Sequence, residues 1–165
     1  LLDLAAEEME HAQAVERILR RDFAWPRAAR GGNPYVQALR RMADEKGHGS
    51  FLDMLLVCSL VEARSAERFK LLADATRGTP FGGFYEDFYA SEVNHYVLFV
   101  QLGCDFYGVD ETLGRLKEFR AAEARIIREM PLGPRVHSRC QGADSGGGHQ
   151  GGHRPACWPE PKIGP

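Results

Sequence analysis

Two Glu-x-x-His motifs occur in this chain, Glu8-Met9-Glu10-His11 and Glu92-Val93-Asn94-His95. On a helix, residues three apart point the same way from consecutive turns, so one carboxylate and one imidazole can grip a single metal ion from one side. Each motif lies on an apolar stripe: His11 beside Leu4 and Val15, Glu92 and His95 beside Phe88 and Phe99. Charge on such a stripe is costly to bury unless it is paired or metal-bound. Between the motifs, Glu62 shares its helical face with Leu55, Cys58, Ser59, Ala66 and Phe69, so a further carboxylate points inward. A lone Glu-x-x-His is common on solvated helix faces; two of them around an inward Glu are a more specific combination. The metal ligands expected on this pattern are Glu8, His11, Glu62, Glu92 and His95. Hard oxygen donors with two imidazoles and no thiolate suit iron, with manganese possible, rather than zinc or an iron–sulfur cluster. Two such ions bridged by carboxylates can bind and reduce dioxygen.

Other polar residues divide between structural and functional roles. Glu67 is offset from Glu62 around the helix and lies near Arg64 and Lys70, which favours an ion pair over a metal ligand. Glu123 sits on a stripe with Leu116, Phe119, Ile126 and Ile127; a satisfied buried carboxylate is the first reading and support for the metal site the second. Arg64 and Arg68, with Arg27, Arg30, Arg40 and Arg41, either contact nucleic-acid phosphates or form an ordinary solvated surface. Tyr89 and Tyr96 either stack on a substrate or belong to the core. Cys140, His149, His153 and Cys157 have the count of a zinc site but not its standard spacing.

The elements that must hold these residues are helices. Leu1 to about Arg21 repeats apolar residues at three- and four-residue steps, through Leu1, Leu4, Val15, Ile18 and Leu19. Trp25 to Pro34 breaks that period, and Tyr35 to about Asp44 is a short helix ahead of Gly47 and Gly49, so the connection is a long crossover. Ser50 can cap the next helix, the most apolar one, which ends at Gly78 and Pro80. A further helix spans about Phe84 to Leu102, with Gly103 near its end. Asp110 caps a last helix from about Glu111 to Met130, which Pro131, Gly133 and Pro134 terminate. No convincing strand alternation occurs, so the fold class is all-α, a helical bundle. Beyond about Arg139 the chain is rich in Gly and Pro with almost no aliphatic residues, and residues 139–165 read as a disordered tail of uncertain relation to the domain before it.

Ferritin-like di-iron bundles contribute one Glu from each of two helices and a Glu-x-x-His from each of the other two. Here the order is Glu-x-x-His, Glu, Glu-x-x-His. Glu62 precedes Glu92 by thirty residues, so pseudo-symmetry predicts another Glu about thirty residues before Glu8, ahead of Leu1. The uncapped, non-methionine start of the chain at Leu1 agrees with a bundle lacking its first helix here.

The run Val61-Glu62-Ala63-Arg64-Ser65-Ala66-Glu67-Arg68-Phe69, with Leu52 to Leu56 before it, resembles the tRNA 2-methylthio-N6-isopentenyladenosine hydroxylases, the MiaE-like family. Phe84-Tyr85, Ser91-Glu92, His95-Tyr96 and Asn33-Pro34-Tyr35 are similar too, as is, faintly, Arg135-Val136-His137-Ser138. The resemblance covers roughly Leu1 to Ser138, so the expected domain is 1–138, a ferritin-like hydroxylase domain with an extra C-terminal helix. It implies that Glu8, His11, Glu62, Glu92 and His95 correspond to ligands of two non-haem iron ions. It also implies dioxygen as co-substrate, hydroxylation of the isopentenyl group on a modified adenosine next to the tRNA anticodon, and an external electron-donating reductase. The alternatives are a ferritin-like iron-storage or oxidative-stress protein without an organic substrate, or a fragment left inactive by the missing ligand.

Composition sets outer bounds. The chain has 165 residues, 44% of them hydrophobic, which suffices for one buried core. A formal net charge of −2 supplies no global basic field, so an RNA partner would have to be held by a local patch. The longest apolar stretch, Met54 to Val61, is far short of the roughly 20 residues of a membrane span. Cys58 and Cys104 lie in apolar helical runs and no CxxC occurs, which fits reduced thiols and a cytoplasmic location.

Overall fold

The structure is a computed structural model that describes residues 1–22, 32–45 and 50–131. Expectations for Trp25, Arg27, Arg30, Gly47, Gly49, the 135–138 segment and the tail with Cys140, His149, His153 and Cys157 lie outside the described residues. The chain divides into two compact units, Leu1–Gly32 and Asn33–Pro165. Among the described residues five helices occur, in the order α1 (Leu2–Asp22), α2 (Pro34–Glu45), α3 (Phe51–Ala75), α4 (Pro80–Tyr107) and α5 (Val109–Glu129). No strand occurs among the described residues, so the chain is all-α as its periodicity predicts. None of these helices is long and apolar enough to cross a membrane.

The first unit contains α1. Asp3 lies in its first turn and Arg20 and Arg21 in its last, each favourable to the helix dipole. Glu16 accepts a two-pronged contact from Arg20 one turn later.

In the second unit, α3 and α4 form the dominant antiparallel pair. Phe51 at the start of α3 meets Phe106 at the end of α4, whereas Phe69 near the end of α3 meets Phe88 and Tyr85 near the start of α4. Helices α2 and α5 pack against this pair, and Tyr35, Leu39, Leu56, Leu60, Tyr96, Val100, Leu116 and Phe119 form the centre of the core. Ser50 caps α3 as expected, its hydroxyl accepting from the Asp53 amide at 3.1 Å. Asp53 is itself buried and receives a two-pronged contact from Arg115 of α5, at 2.8 and 3.1 Å.

Three helix boundaries differ from the sequence reading, each for a physical reason. Helix α4 starts at Pro80, not near Phe84: Thr79 is its N-cap, accepting from the Phe81 amide at 3.2 Å, and Pro80 stands in the first turn. Proline there loses no intrahelical bond and has its φ preset, so Pro80 starts α4 in addition to following the end of α3. Nor does Gly103 end the helix, which continues to Tyr107. Gly103 is buried where a Cβ would meet Thr112 Cγ2 at 2.8 Å and Leu52 Cδ1 at 3.2 Å. Its missing side chain lets α4 approach α5 and α3 closely. The true terminator is Gly108, at φ +85°, which also serves as the N-cap of α5 in place of Asp110.

Candidate metal centre

Helices α3 and α4 run antiparallel, and their middles bring Glu62 next to Glu92 and His95. One donor atom from each of these three residues lies within 4.8 Å of the others. Glu92 and His95 are buried and Glu62 is half-buried. Two carboxylates this close repel each other and have lost much of their hydration, a cost that a cation between them offsets. Hard oxygen donors with an imidazole match iron or manganese, so the donor set fits the metal that the sequence pattern implies. The Ser91 hydroxyl lies 3.5 Å from His95 Nε2 one turn away on α4. Phe88 and Phe99, one turn to either side of the Glu92/His95 pair, are both buried and keep water from that face.

Glu8 and His11 belong to the first unit. On α1, Glu8 Oε1 is 3.4 Å from His11 Nδ1, so the motif's two side chains converge as i, i+3 residues should, and Glu7 Oε1 stands 3.9 Å from His11 Nε2.

Cys58 precedes Glu62 by one turn. Burial pushes its thiol up, the negative charge of Glu62 pushes it further, and Arg40 partly offsets both. The thiol therefore stays protonated at neutral pH and acts as a small apolar neighbour rather than a donor.

Beside the carboxylates, α3 carries a second polar group on a different face. Arg64 is buried and donates through Nε at 3.2 Å and Nη2 at 2.6 Å to Glu123 Oε1 of α5, and through Nη1 to Glu67. The same Glu123 oxygen accepts from the Tyr35 hydroxyl of α2 at 2.9 Å. Glu67 is thus an ion-pair partner, as its position in the sequence suggested, although with Arg64 alone; Lys70 pairs with Asp74 instead. Glu123 is a satisfied buried carboxylate. Arg64, in contrast, is withdrawn from the arginines offered for phosphate contact, because its guanidinium is enclosed by the two carboxylates. Burial alone would lower its pKa, but Glu123 and Glu67 raise it further, so it is always charged.

Of the two tyrosines considered for stacking, Tyr96 is fully buried and its hydroxyl is bonded by Arg120, which makes it core. Tyr89 is half-buried, with Lys70 Nζ 5.9 Å from its ring centroid. The sequence reading missed the part of Tyr35. Its signal was a stripe of Tyr35, Leu39 and Ala43 at four-residue steps, whose buried end needs a hydroxyl partner. It also missed an aromatic cluster of Phe69, Phe84, Tyr85 and Phe88, which closes the α3–α4 hairpin beyond the carboxylates.

A sequence model described as tRNA-(MS[2]IO[6]A)-hydroxylase (MiaE) matches residues 1–138. A Pseudomonas putida (strain KT2440) protein named tRNA 2-(methylsulfanyl)-N(6)-isopentenyladenosine(37) hydroxylase is 33% identical over 136 residues, which are 82% of this chain. The chain spans 65% of that relative's length. No solved structure matches. The family match runs through both Glu-x-x-His motifs and the α3 segment that carries Glu62, and by it the chain belongs to the tRNA-(MS[2]IO[6]A)-hydroxylase (MiaE) family.

Proposed function

We propose that this chain is the main part of an oxygen-dependent, non-haem di-iron hydroxylase that acts on the isopentenyl group of a 2-methylthio-N6-isopentenyladenosine next to the tRNA anticodon. The observation that carries the proposal is the convergence of Glu62, Glu92 and His95 between two packed helices, flanked by the buried Phe88 and Phe99. The P. putida relative's name supplies the substrate class. Residues 1–138 are the catalytic domain, a ferritin-like bundle, and the family match over the same residues supports that boundary.

The proposed ligands are Glu62, Glu92 and His95, joined by Glu8 and His11 on the strength of the second Glu-x-x-His motif. They would hold two iron ions, and manganese would satisfy the same donors. When bound, such a pair supplies reduction of dioxygen and insertion of one oxygen atom into an allylic C–H bond; the second oxygen leaves as water, with two electrons and two protons drawn from an external reductase. The protein's own part is to hold the carboxylates at fixed spacing, to exclude water through Phe88 and Phe99, and to place the prenyl group against the site. A tRNA substrate favours the cytoplasm as the site of action.

Two measurements test this. The chain is titrated with ferrous iron under anaerobic conditions, with Glu62→Ala and Glu67→Ala alongside. Glu62→Ala should abolish tight binding while Glu67→Ala retains it; equal losses would remove Glu62 from the ligand set. The chain is then incubated with reduced iron, dioxygen and prenylated tRNA, followed by nucleoside mass spectrometry. Iron binding without the gain of one oxygen atom would instead support an iron-storage or oxidative-stress role.

A further inference from the structure

The structure sorts the basic residues of the second unit by whether they already have a charged partner. Arg64 is enclosed by Glu67 and Glu123, Arg115 by Asp53 and Glu118, and Lys70 and Arg77 share Asp74. Arg120 is committed to Tyr96. Arg40 and Arg41 of α2 and Arg125 and Arg128 of α5 are exposed, and among the described residues none of the four has a carboxylate within ion-pair distance. Helices α2 and α5 pack together, joined by the Tyr35–Glu123 hydrogen bond. Arg41 and Arg125 line one groove between the two helices, whose floor is Ala38, Met42, Ala122 and Ile126, with Glu129 also on its wall.

We propose that the α2–α5 groove, through Arg41 and Arg125, is the surface that binds the phosphate backbone of the RNA substrate. Guanidinium groups held apart on two rigid helices without acidic partners offer paired donors to successive phosphates. In a chain with a formal net charge of −2, a local patch of this kind is what a polyanion requires. The inference rests on the tRNA reading above and assigns the surface that serves it.

The test is fluorescence anisotropy of a labelled anticodon stem-loop carrying the prenylated adenosine, with the wild-type chain and with Arg41→Gln, Arg125→Gln and the double variant, across a range of salt concentrations. Each single substitution should weaken binding several-fold and reduce the slope of log affinity against log salt by roughly one, and the double variant should reduce it by roughly two. Melting temperature and helix content should not change, since all four arginines are exposed. Arg77→Gln, which disrupts only the Asp74 pair, should bind RNA like wild type. Wild-type binding that persists in the double variant with an unchanged salt slope overturns this surface while leaving the tRNA reading intact. No wild-type binding at low salt overturns the tRNA reading and the surface with it.

Discussion

Replacing Arg64 by Met, which has a similar apolar stem and no charge, leaves two carboxylates without their cation. The Arg64 and Glu123 side chains are only 10% and 3% exposed, and Glu123 Oε1 loses two of its three donors while keeping Tyr35. Removing one member of a buried pair costs about 3–5 kcal/mol, most of it the uncompensated charge that remains. In a chain of this size that lowers the melting temperature by roughly 10 °C. Replacing Glu123 as well removes the more deeply buried of the two stranded charges, leaving only Glu67, which at 16% exposure is better hydrated. The double variant Arg64→Met/Glu123→Leu should therefore be more stable than Arg64→Met alone, since Tyr35 retains the Leu60 carbonyl at 3.2 Å as an acceptor. Urea denaturation followed by circular dichroism gives all three free energies. If Arg64→Met loses less than about 1 kcal/mol, or if the double variant is the weakest of the set, the pair is not the buried clamp described here.

Three further outcomes follow from the same geometry. Burial, and then the charge of Glu123, keeps the Tyr35 hydroxyl protonated well above its ordinary 10.0. As pH rises past that value the unfolded chain loses this proton before the folded one, so stability should fall by up to about 1.4 kcal/mol per pH unit, and urea melts at pH 9 and 11 should show Tyr35→Phe with a shallower decline. Gly103→Ala places a methyl 2.8 Å from Thr112 Cγ2; overpacking of about 1–3 kcal/mol should exceed the helix propensity gained, and Thr112→Ser in the same chain should recover part of the loss in thermal melts. Iron titration should separate Glu62→Ala from Glu67→Ala, because only the first carboxylate faces Glu92 and His95 while the second is engaged by Arg64.

The helices and the inward Glu62, Glu92 and His95 were legible in the sequence because both signals are local. Three- and four-residue periodicity fixes which residues share a face, and a charged residue on an apolar face declares itself. What was not legible depended on partners far along the chain. Glu123 could be read as buried, but that its acceptor oxygen binds Tyr35, 88 residues earlier, and Arg64, 59 residues earlier, is a product of packing. The misplacement of Arg64 among surface arginines has the same cause, for nothing local distinguishes it from the half-buried Arg68. Glycine and proline were read as breaks by default. Pro80 starts a helix because Thr79 precedes it, and Gly103 persists within one because α5 passes too close for a side chain.

From Leu55 to Lys70, α3 has no exposed residue over more than four turns. One side carries Glu62 and another carries Arg64; Leu56, Val57, Leu60 and Ala63 lie in the core, and Glu67, Arg68 and Lys70 are half-buried. Such a stretch has no position at which substitutions accumulate silently. As homologues diverge, change should concentrate at its ends, at Met54, Leu71 and Leu72, and in the outward residues of α5, while this interior holds. Horizontal comparison of distant members would then find the segment by its resistance to drift long before alignment of the outer helices becomes secure. On this reasoning the helix should serve as the family's signature, because it carries two separate polar groups and has no fully exposed residue between Leu55 and Lys70.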